Sequence, residues 1–194
     1  MEAARTAARR GHDVTLLERT DELGGHLISG GMHDFKVEVR ELNAWYQREL
    51  ADLGVDVRMG VEATPEALDA LAPDAVVLAV GSTAVMPAIE GADGEKCVGC
   101  IEALRNEGAL GHHVVIVGGG LVGCEMALDL INKGHEVEIV EALGDILSSG
   151  IAVPLPNAMY LRDAFAHHGT PLHVGRRIAA VTDEGAEVED VKTR

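Results

Sequence analysis

The sequence predicts an α/β fold built from two copies of one strand–helix–strand unit, the first lacking its opening strand and glycine loop. Three observations predict it. Residues 114–141, VVIVGGGLVGCEMALDLINKGHEVEIVE, read as an apolar strand, a glycine turn, an apolar helix and a second strand ending in an acid. The opening residues, MEAARTAARRGHDVTLLE, repeat the later part of that stretch at a shift of 123. Glu2 falls on Glu125, Ala4 on Ala127, Gly11-His12 on Gly134-His135, Val14 on Val137 and Glu18 on Glu141, and Gly54 to Gly60 matches Gly169 to Gly175 at a shift of 115. The third observation is composition. The chain is 47% hydrophobic with one Trp, two Tyr and two Phe, so its core must be aliphatic, and 23 glycines suit buried parallel strands and close helix–sheet packing.

The elements follow in order. Residues 2–10 read as a helix stopped by Gly11, and 13–18, DVTLLE, as a buried strand. Apolar residues at helical spacing predict a helix over 35–54 with a Gly54 stop, followed by a strand at VDVRMG. A short helix begins after Thr64-Pro65, with Thr64 as cap and Pro65 at the first helical position. PDAVVLAVGS, 73–82, is a continuous apolar run and predicts a strand. The irregular stretch TAVMPAIEGADGEKCVGC then marks the domain boundary, with a first domain over 1–90 and a second over 91–194. The second half predicts a short helix near 101–107, strand 113–117, helix 121–133, strand 136–141, a helix at PNAMYLRDAFAHHG and a strand at TPLHVG. Residues 176–190 predict a hairpin turning at Asp183-Glu184-Gly185.

The formal charge of −16, with Lys and Arg scattered, argues against nucleic acid or an anionic membrane as partner. No apolar run approaches the roughly 20 residues of a membrane span, and the N-terminus shows no signal-peptide pattern. Three cysteines do not make a disulfide framework, so the expectation is a reduced, cytoplasmic protein.

A lone G-x-G-x-x-G is weak evidence. Here Gly118, Gly120 and Gly123 follow an apolar strand and open an apolar helix, and Glu141 ends the next strand 18 residues after Gly123. That context makes the unit Rossmann-like and dinucleotide-binding. Gly118 permits the turn, Gly120 lets backbone approach a pyrophosphate, and Gly123 lets helix and strand pack closely. The phosphates would rest on free N–H groups near Leu121 and Val122, and Glu141 would accept from the adenosine ribose. Ala142-Leu143 follows Glu141 where an arginine would invite a 2′-phosphate, so NAD(H) is favoured over NADP(H). Glu18, followed by Arg19, holds the matching place in the first copy, for a second nucleotide ribose or as a solvated strand-end acid.

Together, ERTDELGGHL, PDAVVLAVGSTAVMPAIEG and residues 114–141 resemble the C-terminal flavin and pyridine-nucleotide region of the NADH:flavin oxidoreductase family. That family includes 2,4-dienoyl-CoA reductase, 2-enoate reductases and trimethylamine dehydrogenase. The resemblance covers essentially the whole chain. It implies that Glu18 and Arg19 bind the FAD adenosine, that Gly25 and His26 lie along the cofactor, and that Val61 meets adenine through its backbone. Ala79-Val80-Gly81 resembles an Ala-Thr-Gly strand end beside FAD, with valine in place of the hydroxyl-bearing threonine. Gly118, Gly120, Leu121, Val122 and Glu141 would hold NAD(H), and Glu125 resembles a helix glutamate near the nicotinamide, a place that an ordinary first-turn acid also fills. In complete members an N-terminal (β/α)₈ barrel carries FMN, an iron–sulfur cluster and the substrate site. None of that lies in these residues, so the expectation is a piece of a larger enzyme, passing hydride from NADH to FAD and electrons onward, with no catalytic side chain of its own. Without its first glycine loop, this chain is expected to purify without flavin.

Two rivals stay open. Cys97 and Cys100 form a C-x-x-C just ahead of the second unit, as in thioredoxin reductases, and would make a disulfide reductase half. Two ligands do not complete a zinc tetrahedron, and the pairs His112-His113 and His167-His168 read as solvated element ends, so no metal is expected. The other rival is a non-catalytic module that holds an adenine nucleotide structurally.

Overall fold

The computed structural model describes residues 1–150 and 152–191. The chain forms two compact units, Met1–Thr83 and Ala84–Arg194.

In the first unit, helix α1 (Glu2–Arg9) is alanine-rich, with Glu2 in its first turn and Arg9 in its last, both favoured by the helix dipole. Strand β1 (Thr15–Glu18) follows, then the short helix α2 (His26–Gly30), the long helix α3 (Val37–Asp52) and strand β2 (Asp56–Met59). β1 and β2 pair in parallel, Leu16 opposite Val57 and Glu18 opposite Met59. α1 docks on α3 through Arg5, whose Nε donates to Glu49 Oε2 at 3.0 Å and whose guanidinium lies 4.7 Å from the Trp45 ring centroid. Helix α4 (Pro65–Leu71) starts as expected: the Thr64 hydroxyl accepts from the Ala67 amide at 3.3 Å, and proline sits at the first position.

Two expectations need correction here. Residues 73–82 do not form a strand; among the described residues the run has no ladder partner, and Val77, Leu78 and Val80 are 71%, 77% and 83% exposed. The apolar run has strand composition, yet composition cannot supply the neighbouring strand whose N–H and C=O groups a ladder needs. For the same reason β1 is half-buried instead of buried: among the described residues it pairs on one edge only. The short helix α2 carries no periodic signal at its length and escapes sequence reading.

In the second unit, helix α5 (Cys100–Arg105) and a 3₁₀ turn (Glu107–Ala109) lead to strand β3 (His113–Val117), helix α6 (Leu121–Asn132) and strand β4 (Glu136–Glu141). Helix α7 (Leu155–His168), strand β5 (Leu172–Val174) and the antiparallel pair β6 (Arg176–Val181) and β7 (Ala186–Asp190) complete it. The parallel sheet runs β3-β4-β5, and the hairpin turns through Thr182 to Gly185 as expected. One side of the sheet carries the core: Cys124, Leu128, Leu130, Ile139, Leu161 and Phe165 are all nearly or fully buried. Each such aliphatic or aromatic side chain contributes about 1.5–3 kcal/mol on burial. No described helix is long and apolar enough to cross a membrane.

The repeat holds at the level of single hydrogen bonds. α1 ends at Arg9 and α6 at Asn132, the same place at a shift of 123; Gly11 and Gly134 follow with φ of 87° and 91°. His12 N donates to Ala7 O, and His135 N to Leu130 O. At a shift of 115, Val55 N to Leu50 O matches Thr170 N to Phe165 O, both 3.0 Å. The register repeats too, with Leu16 opposite Val57 and Ile139 opposite Leu172. β5 is a residue shorter than β2 because Pro171 stands where Asp56 does and has no N–H to give.

Candidate functional site

β3 runs into the turn Gly118-Gly119-Gly120, and α6 leaves from it. Gly118 has φ 104°, in the left-handed region, while its N–H donates to Val140 O at 2.9 Å. A Cβ on Gly123 would stand 2.0 Å from Gly118 O, so only glycine lets α6 pass this close to the turn. Gly120 is different. Its φ is −71°, and a Cβ there would meet no atom within 4 Å. Neither backbone nor packing asks for glycine at 120. No side chain caps α6, and Val122 on its first turn is 57% exposed. The helix start therefore offers unfilled N–H donors and a partial positive charge, the chemistry an anionic phosphate needs.

Glu141 stands beside this turn, 9% exposed. Its Oε2 accepts from Gly119 N at 2.6 Å and its Oε1 from Leu143 N at 2.7 Å. Two backbone donors keep the carboxylate fixed, and each oxygen retains a lone pair for a hydroxyl. The sequence did not single out Gly119 or Leu143. Three consecutive glycines were the available signal for the first; the second acts through a main-chain amide that every residue type supplies. Cys124 lies fully buried with its Sγ 3.3 Å from Gly119 O, and burial pushes its thiol up to about 12. Glu125 is half-buried and lies just past the first turn of α6, so the first-turn reading does not apply to it.

In the first unit Glu18 repeats the arrangement. Its Oε1 accepts from Thr20 N at 2.9 Å, as Glu141 does from Leu143, and from the Thr20 hydroxyl at 2.9 Å. Val61 N donates to Glu18 O at 2.9 Å, which gathers Glu18, Arg19 and Val61 at one end of the β1–β2 pair. Gly25 has φ 53° and precedes α2; His26 Nε2 contacts Ser82 Oγ at 3.0 Å and Ser82 O at 3.1 Å, bringing Gly25 and His26 next to Gly81. Ala79 and Val80 lie in the unpaired run described above. Glu18 thus shares with Glu141 a backbone donor two residues further along the chain.

Cys97 and Cys100 are free and half-buried, the Cys97 thiol directed 3.9 Å from Gly91 O. His112 and His113 are exposed and reach Glu136 and Glu138 at 3.5 and 3.2 Å, and His167 and His168 meet edge to face at the end of α7.

Comparison with known proteins agrees with this geometry. The family model for pyridine nucleotide-disulphide oxidoreductases matches residues 1–194. A cinnamate reductase from Clostridium sporogenes is 43% identical over 185 residues, 95% of this chain and 28% of that protein. An NADH oxidase from Thermoanaerobacter brockii is 43% identical over 155 residues, 75% of this chain and 23% of that protein. Among solved structures, a 2-naphthoyl-CoA reductase superposes with a TM-score of 0.87 at 30% identity, over 97% of this chain and 28% of its own. The chain thus spans under a third of the length of these relatives. With its two α/β units and its glycine loop, the chain belongs to the pyridine nucleotide-disulphide oxidoreductase family.

Proposed function

We propose that the chain is the FAD- and NAD(H)-binding electron-transfer portion of a flavin-dependent reductase of the enoate or dienoyl type, with flavin on residues 1–90 and NAD(H) on 91–194. The observation that carries this reading is the open space over Gly120, between an uncapped helix start and the fixed carboxylate of Glu141. A nicotinamide supplies hydride and a flavin relays electrons when bound. The residues here do the holding. The amides near Leu121 and Val122 take the pyrophosphate, Glu141 orients the adenosine ribose, and Glu125 lies one turn along, towards the nicotinamide. Glu18 and Arg19 take the flavin's ribose, with Gly25, His26, Val61 and Ala79-Val80-Gly81 along that cofactor. Hydride transfer asks for stacked rings, not an acid–base group, so no catalytic side chain is assigned.

The length of the relatives supports a further barrel domain, bearing FMN, an iron–sulfur cluster and the substrate site, as the partner in electron transfer. Three free thiols support a reducing compartment, the cytoplasm. Amide NMR of the chain titrated with NADH tests the assignment. Shifts concentrated at Gly120, Leu121, Val122 and Leu143 are expected; shifts elsewhere with none at the glycine loop would refute it.

A further inference from the structure

The chain leaving β4 does not run off the end of the sheet. It turns back, and residues 145–147 strap the glycine loop. Ile146 is fully buried, and its Cγ2 would stand 2.8 Å from a Cβ on Gly119, so its methyl lies directly against that glycine. Leu147 N donates to Gly119 O at 2.7 Å, while Gly119 N donates to Glu141. The central residue of the loop is thereby held through both its N–H and its C=O, by the proposed ribose-facing carboxylate and by the strap. Leu147 adopts φ 57° to do this, a left-handed conformation that leucine resists. Something must hold the strap in place.

Arg162, on α7, does so. Its Nη1 and Nη2 donate to the two carboxylate oxygens of Asp145 at 2.8 and 2.9 Å, and Nη2 also donates to Ile146 O at 2.7 Å. Two successive strap residues are fixed by one planar fork. The other unit carries a related contact. At the two repeat shifts, Gln47 corresponds to Arg162, Leu23 to Ile146 and Gly24 to Leu147. Gln47 Nε2 donates to Leu23 O at 3.2 Å, as does Asn43 Nδ2, and Gly24 has φ 142°. Where glycine takes the left-handed place, two neutral amides hold the carbonyl before it. Where leucine takes it, the latch is charged and bidentate.

We propose that Arg162 is a positioning residue for the dinucleotide: it holds the strap on Gly119 and so presets the glycine loop and Glu141 for binding. The proposal rests on the nucleotide reading above. The test uses the full chain as wild type, Arg162→Met, Arg162→Lys and, as control, Arg176→Met, whose residue pairs with Asp190 in the hairpin. NADH affinity is measured by calorimetry, and amide hydrogen exchange is followed at Gly119 and Leu147. Arg162→Met is expected to weaken NADH roughly tenfold or more and to speed exchange at both amides while the Ile139 amide in β4 is unchanged. Arg162→Lys should recover part of the affinity, since an ammonium cannot bond both Asp145 oxygens and Ile146 O in one plane. The control should stay within about twofold of wild type. Arg162→Met binding NADH within that same margin, or leaving Leu147 exchange unchanged, overturns the proposal. If Arg162→Met does not fold, Arg162→Lys with wild-type affinity overturns it. If the wild type binds no NADH, the nucleotide reading fails, and exchange at Leu147 alone decides whether the latch exists.

Discussion

Gly120→Ala and Gly123→Ala are expected to fail in different ways. A methyl at 123 meets Gly118 O at 2.0 Å and must push α6 off the turn, so the second unit should lose on the order of 1–3 kcal/mol of stability. A methyl at 120 meets nothing, and the thermal midpoint should hold while NADH binding falls. Differential scanning calorimetry beside a binding titration separates the two; a Gly120→Ala protein with full affinity would remove the reason given for that glycine. The thiols offer a second residue-scale check. With Cys124 pushed up to about 12 by burial, on the order of one molecule in ten thousand carries its thiolate at pH 8. Iodoacetamide should therefore label Cys97 and Cys100 in the folded chain and Cys124 only in denaturant, as mass spectrometry would report. Rapid labelling of Cys124 in the native protein would contradict the buried geometry. The turn at Gly118 and the close packing at Gly123 were legible in the sequence because their spacing stands between an apolar strand and an apolar helix. Arg162 was not, since a guanidinium 21 residues beyond Glu141 announces no contact until α7 folds back. The one available signal was its repeat partner Gln47.

At the scale of elements, glycine stops, the Thr64 cap and the apolar periodicities placed nearly every helix and strand, because each is encoded locally. Residues 73–82 show where local coding ends. Their apolar composition is that of a strand, but a strand is a pairing, and among the described residues that run has no pairing partner. Hydrogen exchange should show the contrast: amides of 76–80 exchanging at rates near those of an unstructured peptide, and β4 amides, bonded on both edges, protected most. Protection at 76–80 equal to that in β4 would mean that the run is paired after all. Removing the Thr64 hydroxyl with Thr64→Ala should cost α4 about 1 kcal/mol, read as faster exchange at Ala67.

The two units are unequal as wholes. The second gathers its buried side chains around α6, β4 and α7, whereas Leu50 and Val55 are the buried hydrophobic residues of the first. Two thermal transitions are expected, the first unit melting earlier. A hundredfold excess of NADH over its Kd should raise only the later transition, by about 2.7 kcal/mol of stabilisation. What the sequence could not announce at this scale is how unevenly its two halves are buried, because both carry similar apolar residues. Calorimetric titration of the 194-residue chain with NADH and then NADPH tests most directly whether the glycine loop holds a dinucleotide. One site is expected, tighter for NADH, because the fixed Glu141 carboxylate opposes a 2′-phosphate by roughly 1 kcal/mol or more at about 4 Å. No binding, or tighter binding of NADPH, would contradict it.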